Sequence, residues 1–510
     1  MNLLLGIDLG STSIKAILYD PDGNVVARGD RPMRRFHPNE KHPEWTVWDP
    51  EELWRETSAA CREAMEKIAD AGDVKGIAVT GMGMDGLPMT EEGGRLYPLI
   101  SWHDPRTQPQ YEWWIKYITA EKTYAVGGNP VWAINSALRM LWVKEHEREI
   151  FDRTYKWLLI EDYINYCLSG VFATDYSMAS CTMLFDQRKL GWSDEMCNAA
   201  RIPRSILPDV HPATTRLGEV TQAASELTGL KVGTPVYLGG HDHLCSSLPV
   251  GVTRPGSVLS ITGTWEMIDM VSLDAPLDTP LGKSGITTQA NVAPRTYMVW
   301  GGNPSGEMLE WYRRSFSQAS GEPMKWETMI ALAEEAKPGC GGVLFLPHLG
   351  GSSCPDVNPQ ARGAFVGINT LTTQADFVRS VFEGLDYQLL EVVKMMEGGT
   401  RKKAAEVVAV GGAIRNKFWM QNKANMLGLT VRVPEVEEAT VLGAAILAGI
   451  GAGVYRDVED AFQRVKRGST QYVPDEKITR LYEEIFPIYR ETYAAVCGVH
   501  RKIFSRTAGG

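Results

Sequence analysis

The sequence predicts an α/β protein in two similar halves, and three observations carry that prediction. Each half opens with short apolar strands joined by tight Gly/Ser/Thr turns. Each then continues as alternating strand and helix, the pattern of helices layered on a sheet. Between them Pro249 and the run Val252-Thr253-Arg254-Pro255-Gly256 break the periodicity, which places a boundary near 248–254 and predicts domains over 1–250 and 251–510. The repeat is architectural and not a short solenoid period.

The elements follow in order. LLLGID (3–8) reads as a strand, Gly10-Ser11-Thr12 as a turn, and SIKAILYD (13–20) as a second strand. Asp20-Pro21-Asp22-Gly23 is a turn, and NVVAR (24–28) a third strand. Asp49 can cap a helix with Pro50 at its first position and Glu52 three residues after the cap. Apolar residues from Leu53 to Ile68 recur there at helical spacing, and KGIAVTG (75–81) returns to strand. The second half repeats the opening with GSVLSIT (256–262), the turn Gly263-Thr264, WEMIDM (265–270) and TYMVWGG (296–302). Helices are predicted at 305–318, 373–397 and 440–452, and strands at 405–412 and 429–434. A terminal helix over 475–500 contains Pro487, which predicts a kink.

Composition narrows the function. The chain has 510 residues, 44% hydrophobic and 22% charged, which is ordinary globular usage with ample length for a core. Its 52 Lys and Arg against 62 Asp and Glu give a net charge of −10, without the basic footprint of a nucleic-acid binder. The longest small-apolar stretch, Val441 to Val454, is too short and glycine-rich to span a bilayer, and the N-terminus lacks a signal-peptide pattern. Eight cysteines with no C-x-x-C pair are expected to be reduced, which predicts a cytoplasmic protein.

Four segments carry candidate chemistry. Asp8 ends an apolar strand just before a Gly-Ser-Thr-Ser turn. A buried carboxylate needs a partner or a cation, and turn N–H groups can cradle an anion. Mg²⁺ between Asp8 and a phosphate would reconcile the two. Gly263-Thr264 offers a second cradle. In YLGGHDHLCSS (237–247) the glycines deliver Asp242 at a strand end, where it could take a proton from an attacking hydroxyl. His241, His243 and Cys245 are zinc-ligand types, yet three ligands so close on one strand face do not easily converge on one ion. Gly81 to Gly86 matches G-x-G-x-x-G, but a hairpin and not a helix is predicted after it, so the dinucleotide context fails. No P-loop occurs. Asp85 and Trp102-His103-Asp104-Pro105-Arg106 read as polar groups at loop tips, surface or substrate-facing. Gly411-Gly412 ends a strand where a planar base could approach backbone, or is a plain strand-to-helix turn.

Taken together these residues resemble the FGGY carbohydrate kinases, a branch of the actin/hexokinase ribonuclease H-like superfamily. The likeness runs from GIDLGSTSIKA (6–16) to ATVLGAAILAGIGAG (439–453). GAFVGINTLTTQADFVRSVFEG (363–384) resembles the family's C-terminal signature, and LPHLGGSSCPDVNPQARG (346–363) the loop before it. SALRMLWVKEHE (136–147) resembles the N-terminal signature, with Arg139 where Lys is usual, and GGAIRNKFWMQNKANMLGLTV (411–431) the adenosine motif. The resemblance implies two ribonuclease H-like domains with a cleft between them, sugar and base on 1–250 and nucleotide on 251–510. It implies ATP- and Mg²⁺-dependent phosphorylation of a small sugar, with a homodimer as an allowed assembly.

By position the resemblance makes Asp242 the catalytic base and Asp8 the residue at the metal. Gly10, Ser11, Thr12 and Ser13 match the first phosphate loop, Gly263 and Thr264 the second, and Gly411, Gly412 and Asn416 the adenosine site. Met84, Asp85, Asp104 and Asp242 fall at sugar-binding positions, most like those of xylulose kinases, so a pentulose such as D-xylulose is the expected substrate. Met84-Asp85 stands where those kinases read Met-His, and His241 is more similar to the fuculose and rhamnulose kinases. Trp265 and Ser352-Ser353-Cys354 also depart from the pattern. A deoxy-ketose, a sugar alcohol, an autoinducer-like dihydroxy ketone, or a non-catalytic ATP-binding role are the alternatives.

Overall fold

The computed structural model describes residues 2–316 and 321–507. Its core is two mixed sheets laid out alike. In the first, Leu3–Leu9, Ser13–Tyr19 and Val25–Pro32 form an antiparallel meander, and Val74–Gly81 and Pro235–His241 add in parallel on the other side of Leu3–Leu9. In the second, Ser257–Thr262, Trp265–Ser272 and Tyr297–Pro304 form the meander, with Glu406–Val410 and Val431–Pro434 added in parallel. Both sheets therefore run third-second-first-fourth-fifth, the first with one extra edge strand and the second with two. Parallel neighbours need crossovers, which here are helices, and that buries both faces of each central strand.

Local signals explain the elements. Asp49 accepts the backbone N–H of Glu52 at 2.7 Å and starts the helix Pro50–Met65. Thr373 and Asp376 close a reciprocal capping box on the helix Gln374–Thr400. The third strand of the first meander runs longer than expected, to Pro32. The helix expected over 305–318 spans Gly306–Ser315, and positions 317 and 318 lie outside the described residues. The terminal helix Glu476–Thr507 runs on through Pro487. The edge strand Thr287–Ala290 was not foreseen, because TTQA has no apolar alternation and owes its conformation to pairing with Tyr297–Pro304.

The glycine-rich helix Ala439–Gly451 joins the halves. It belongs to the second half by sequence yet packs on Leu3–Leu9 and Val74–Gly81, and against the helix Asp242–Ser247. The core around it mixes Leu4, Ile17 and Leu244 with Leu259, Val408, Val441 and Ile446. The backbones approach so closely that a Cβ on Gly443 would lie 2.0 Å from the Cys245 carbonyl oxygen. Among the described residues no helix is long and apolar enough to cross a membrane.

Candidate active site

Two hairpins of matching design meet one cavity. In the first, Asp8 pairs with Lys15 and Leu9 with Ile14, leaving Gly10 to Ser13 as the turn, where Gly10 N–H donates to Ser13 O at 3.1 Å. In the second, Thr262 pairs with Glu266 around Gly263-Thr264, and Gly263 N–H donates to Trp265 O at 2.8 Å. The start of the helix Gly306–Ser315 is stitched to this second turn, Gly306 N–H reaching Gly263 O at 3.0 Å. Ser11 and Thr264 both line a cavity of about 690 Å³, a volume suited to a small ligand.

Asp242 stands in the wall of that cavity. The strand Pro235–His241 bulges where a Cβ on Gly239 would lie 1.9 Å from Val79 O, so only glycine fits there. The helix Asp242–Ser247 begins immediately after, with Asp242 as its first residue. His243 N–H donates to Asp242 Oδ1 at 2.6 Å, and 34% of the Asp242 side chain remains exposed. Burial raises its carboxyl above the ordinary range, with His243 working in the other direction.

Asp8 fits a cation ligand. Its Oδ1 is buried and accepts no hydrogen bond. Burial first, then the charge of Asp242, push its carboxyl up to about 8; Lys15 pulls it down and Glu438 adds to the rise. A buried carboxylate with a bare oxygen, pushed up further by the charge of a neighbouring aspartate, is a ligand that a hard divalent cation would satisfy.

The histidines beside the base do not converge. The strand ends at His241 and a helix starts at Asp242, so strand alternation does not put 241, 243 and 245 on one face. The two imidazoles meet edge to face at 4.4 Å and look elsewhere. His241 Nδ1 lies 3.0 Å from Gln289 Nε2, and His243 Nδ1 lies 2.8 Å from Asp269 Oδ2. Burial and the charge on His243 hold His241 well below the usual histidine range. For His243 burial also opposes the charge, but Asp269, helped by Asp242 and Gln289, turns the net direction upward.

The expected sugar-contact residues separate into two groups. Met84 and Asp242 line the cavity, whereas Asp85 and Asp104 are not among its lining residues. Neither is a loop-tip polar group: Asp85 is 0% and Asp104 1% exposed. Asp85 accepts from Trp48 Nε1 at 2.6 Å and faces Arg139 at 3.6 Å. Asp104 takes Thr46 N–H at 2.7 Å and both Nε and Nη2 of Arg106 at 2.8 and 2.6 Å. Arg139, fully buried, donates to Met84 O and Ser101 O, at 2.9 Å each. These groups anchor the segments that present Met84 and Trp102 to the cavity. What the sequence did not flag is the aromatic wall itself, in which Trp132 and Trp300, with Trp102, Trp265, Met82 and Met267, make most of the lining apolar.

Gly411, Gly412 and Asn416 lie beside the second hairpin and outside the lining of this cavity. Gly411 has φ 99° and approaches Thr262 O so closely that a Cβ would lie 2.5 Å away. Gly411 and Gly412 are exposed, a bare backbone surface, and Asn416 caps the helix Lys417–Leu427 through Trp419 N–H at 3.1 Å. From that helix Lys423, fully buried, pairs with Glu266 at the foot of the second hairpin and lies 3.9 Å from Asp386.

Residues 3–248 match the N-terminal domain and residues 258–452 the C-terminal domain of the FGGY family of carbohydrate kinases. The chain belongs to that family. The FGGY chain is 32% identical over 464 residues to an L-fuculokinase of Escherichia coli K12, covering 90% of this chain and 94% of that one. It is 30% identical over 494 residues to a xylulose kinase of Staphylococcus epidermidis, covering 96% of each. The crystal structure of a xylulose kinase from Rhodospirillum rubrum superposes with a TM-score of 0.89 at 27% identity, over 98% of this chain and 99% of that one. The protein is thus a carbohydrate kinase with the two-domain FGGY fold, of a family that uses ATP.

Proposed function

We propose that this kinase transfers the γ-phosphoryl group of ATP to a hydroxyl of a small ketose, a pentulose such as D-xylulose first. The observation that carries the reading is Asp242, placed in the wall of a cavity that touches both hairpin turns. The sugar lies against the 1–250 side and the nucleotide against the 251–510 side, with Gly411, Gly412 and Asn416 at the adenosine. Asp242 accepts the proton of the attacking hydroxyl as its oxygen bonds to the γ-phosphorus and the bond to the β-phosphate oxygen breaks, ADP leaving with that electron pair. The turns Gly10 to Ser13 and Gly263-Thr264 hold the phosphates through backbone N–H and hydroxyl donors. Asp8 would hold Mg²⁺, which when bound supplies positive charge to the phosphate oxygens. The apolar wall keeps water from competing with the sugar hydroxyl.

A second substrate reading is a 6-deoxy-ketose of the fuculose type, favoured by His241 next to the base and by the Trp and Met wall, which suits a methyl group. ADP release with Mg²⁺-ATP across D-xylulose, L-fuculose, L-rhamnulose, xylitol and glycerol decides between them. Asp242→Asn is expected to lower turnover of the preferred sugar by at least about 10²-fold with the fold intact. Near-wild-type turnover in that variant removes Asp242 from the role of base.

A further inference from the structure

The hydrogen bonds around His241 determine where its proton sits. Trp300 Nε1 can only donate, and it reaches Gln289 Oε1 at 2.8 Å. The Ser177 carbonyl can only accept, and it lies 2.8 Å from Gln289 Nε2. Both contacts demand the same orientation of the Gln289 amide. Its second Nε2 hydrogen has two acceptors in reach, Cys181 Sγ at 3.6 Å and His241 Nδ1 at the shorter 3.0 Å; an N–H on Nδ1 would face the amide hydrogens there, so that nitrogen offers a lone pair. A neutral imidazole with a bare Nδ1 carries its proton on Nε2. That nitrogen lies 3.7 Å from Asp242 Oδ1, and Gly83 leaves the space in front of it open, since a Cβ there would stand 2.7 Å away. His241, Asp242 and Gly83 all line the cavity.

We propose that Gln289, locked by Trp300, is a positioning residue that holds His241 as an Nε2–H donor beside the base, where it binds an oxygen of the sugar acceptor. The inference rests on Asp242 as the base. The site then offers one acceptor, Asp242, and one donor, His241, to adjacent substrate oxygens, a pattern matched to a hydroxyl flanked by a second oxygen. The device crosses the cleft. Gln289 and Trp300 belong to the second sheet, while His241 and Ser177 belong to the first half. Sugar recognition is therefore complete only when the two halves hold this arrangement. The titratable groups around His241 are Asp242, His243 and Cys181, the thiol lying 3.6 Å from Nδ1.

The test is Gln289→Glu, nearly isosteric but unable to donate to Nδ1. Its carboxylate draws the histidine proton onto Nδ1. Imidazole ¹⁵N spectra of the full-length protein, assigned with His241→Gln, should show His241 protonated at Nε2 in the wild type and at Nδ1, or doubly, in Gln289→Glu. With Mg²⁺-ATP and D-xylulose or L-fuculose, Gln289→Glu and His241→Leu should each lose at least about tenfold in kcat/KM for the sugar at unchanged KM for ATP. His241→Gln, which keeps an N–H donor, should recover part of that loss. An Nδ1-protonated wild type overturns the proposal, as does a Gln289→Glu enzyme within twofold of wild type. If the wild type turns over neither sugar, it is the proposed substrate that falls, and the ¹⁵N spectra still decide the state of His241.

Discussion

Asp85 shows how much a single side chain's meaning depends on what surrounds it. Read alone it is a loop carboxylate near a sugar site; in the fold it is fully buried, with Trp48 and Arg139 as partners. Burial pushes its carboxyl up to about 6 from 3.8, although Arg139 and the Trp48 N–H pull the other way. A raised carboxyl means the native state holds the proton longer than the unfolded chain does. The associated stability is therefore present in full below about 3.8 and is lost as pH rises through about 6. Asp85→Asn cannot ionise and should lack this dependence. Melting temperatures of both proteins between pH 4 and 7 should shift relative to each other in favour of the variant as pH rises, and a constant gap would contradict the burial argument. The place of Asp242 in the cavity wall was legible because a carboxylate after paired glycines at a strand end has few structural uses. The burial of Asp85 and Asp104 was not, because their partners Trp48, Arg139 and Thr46 come from elsewhere in the chain.

At the scale of elements, glycines in two helices make opposite predictions. In Ala439–Gly451, a methyl at Gly443 would meet the Cys245 carbonyl at 2.0 Å, backbone that cannot step aside. Gly443→Ala should destabilise by roughly 1–3 kcal/mol or more through overpacking. In Gln374–Thr400, a Cβ at Gly398 meets nothing within 4 Å, and the position is exposed. Gly398→Ala should stabilise by up to about 1 kcal/mol, since alanine loses less conformational freedom in a helix. Denaturant unfolding of the two variants checks both signs at once. Composition revealed the small-residue helix and apolar periodicity the longer one, because both signals are local. Which glycine is obligatory is decided by the neighbour, Cys245, nearly two hundred positions away in the chain.

The whole molecule is two like sheets sharing a core. Leu4 and Ile17 of the first pack in one cluster with Leu259 and Val408 of the second, around the helix Ala439–Gly451. A shared core couples the halves thermodynamically, so calorimetric unfolding without ligands should give one transition, and Leu259→Ala should lower it without splitting it. Two separate transitions would show that the halves fold independently. The edge strand Thr287–Ala290 adds to the coupling, with Thr288 N–H donating to Gly128 O at 2.8 Å and Gln289 reaching Ser177. That seam escaped the sequence because a short polar strand has no pattern of its own.

What the sequence determined by itself is whatever local chemistry encodes: two strand-first α/β halves, the turns Gly10 to Ser13 and Gly263-Thr264, and an aspartate delivered after paired glycines. These need only neighbours in the chain. The tertiary structure alone decided which carboxylates face the cavity and which are anchored behind it, that tryptophans wall the site, and on which nitrogen His241 holds its proton. Each of those depends on a distant partner, since burial and hydrogen-bond direction are properties of a surrounding that only the folded chain assembles.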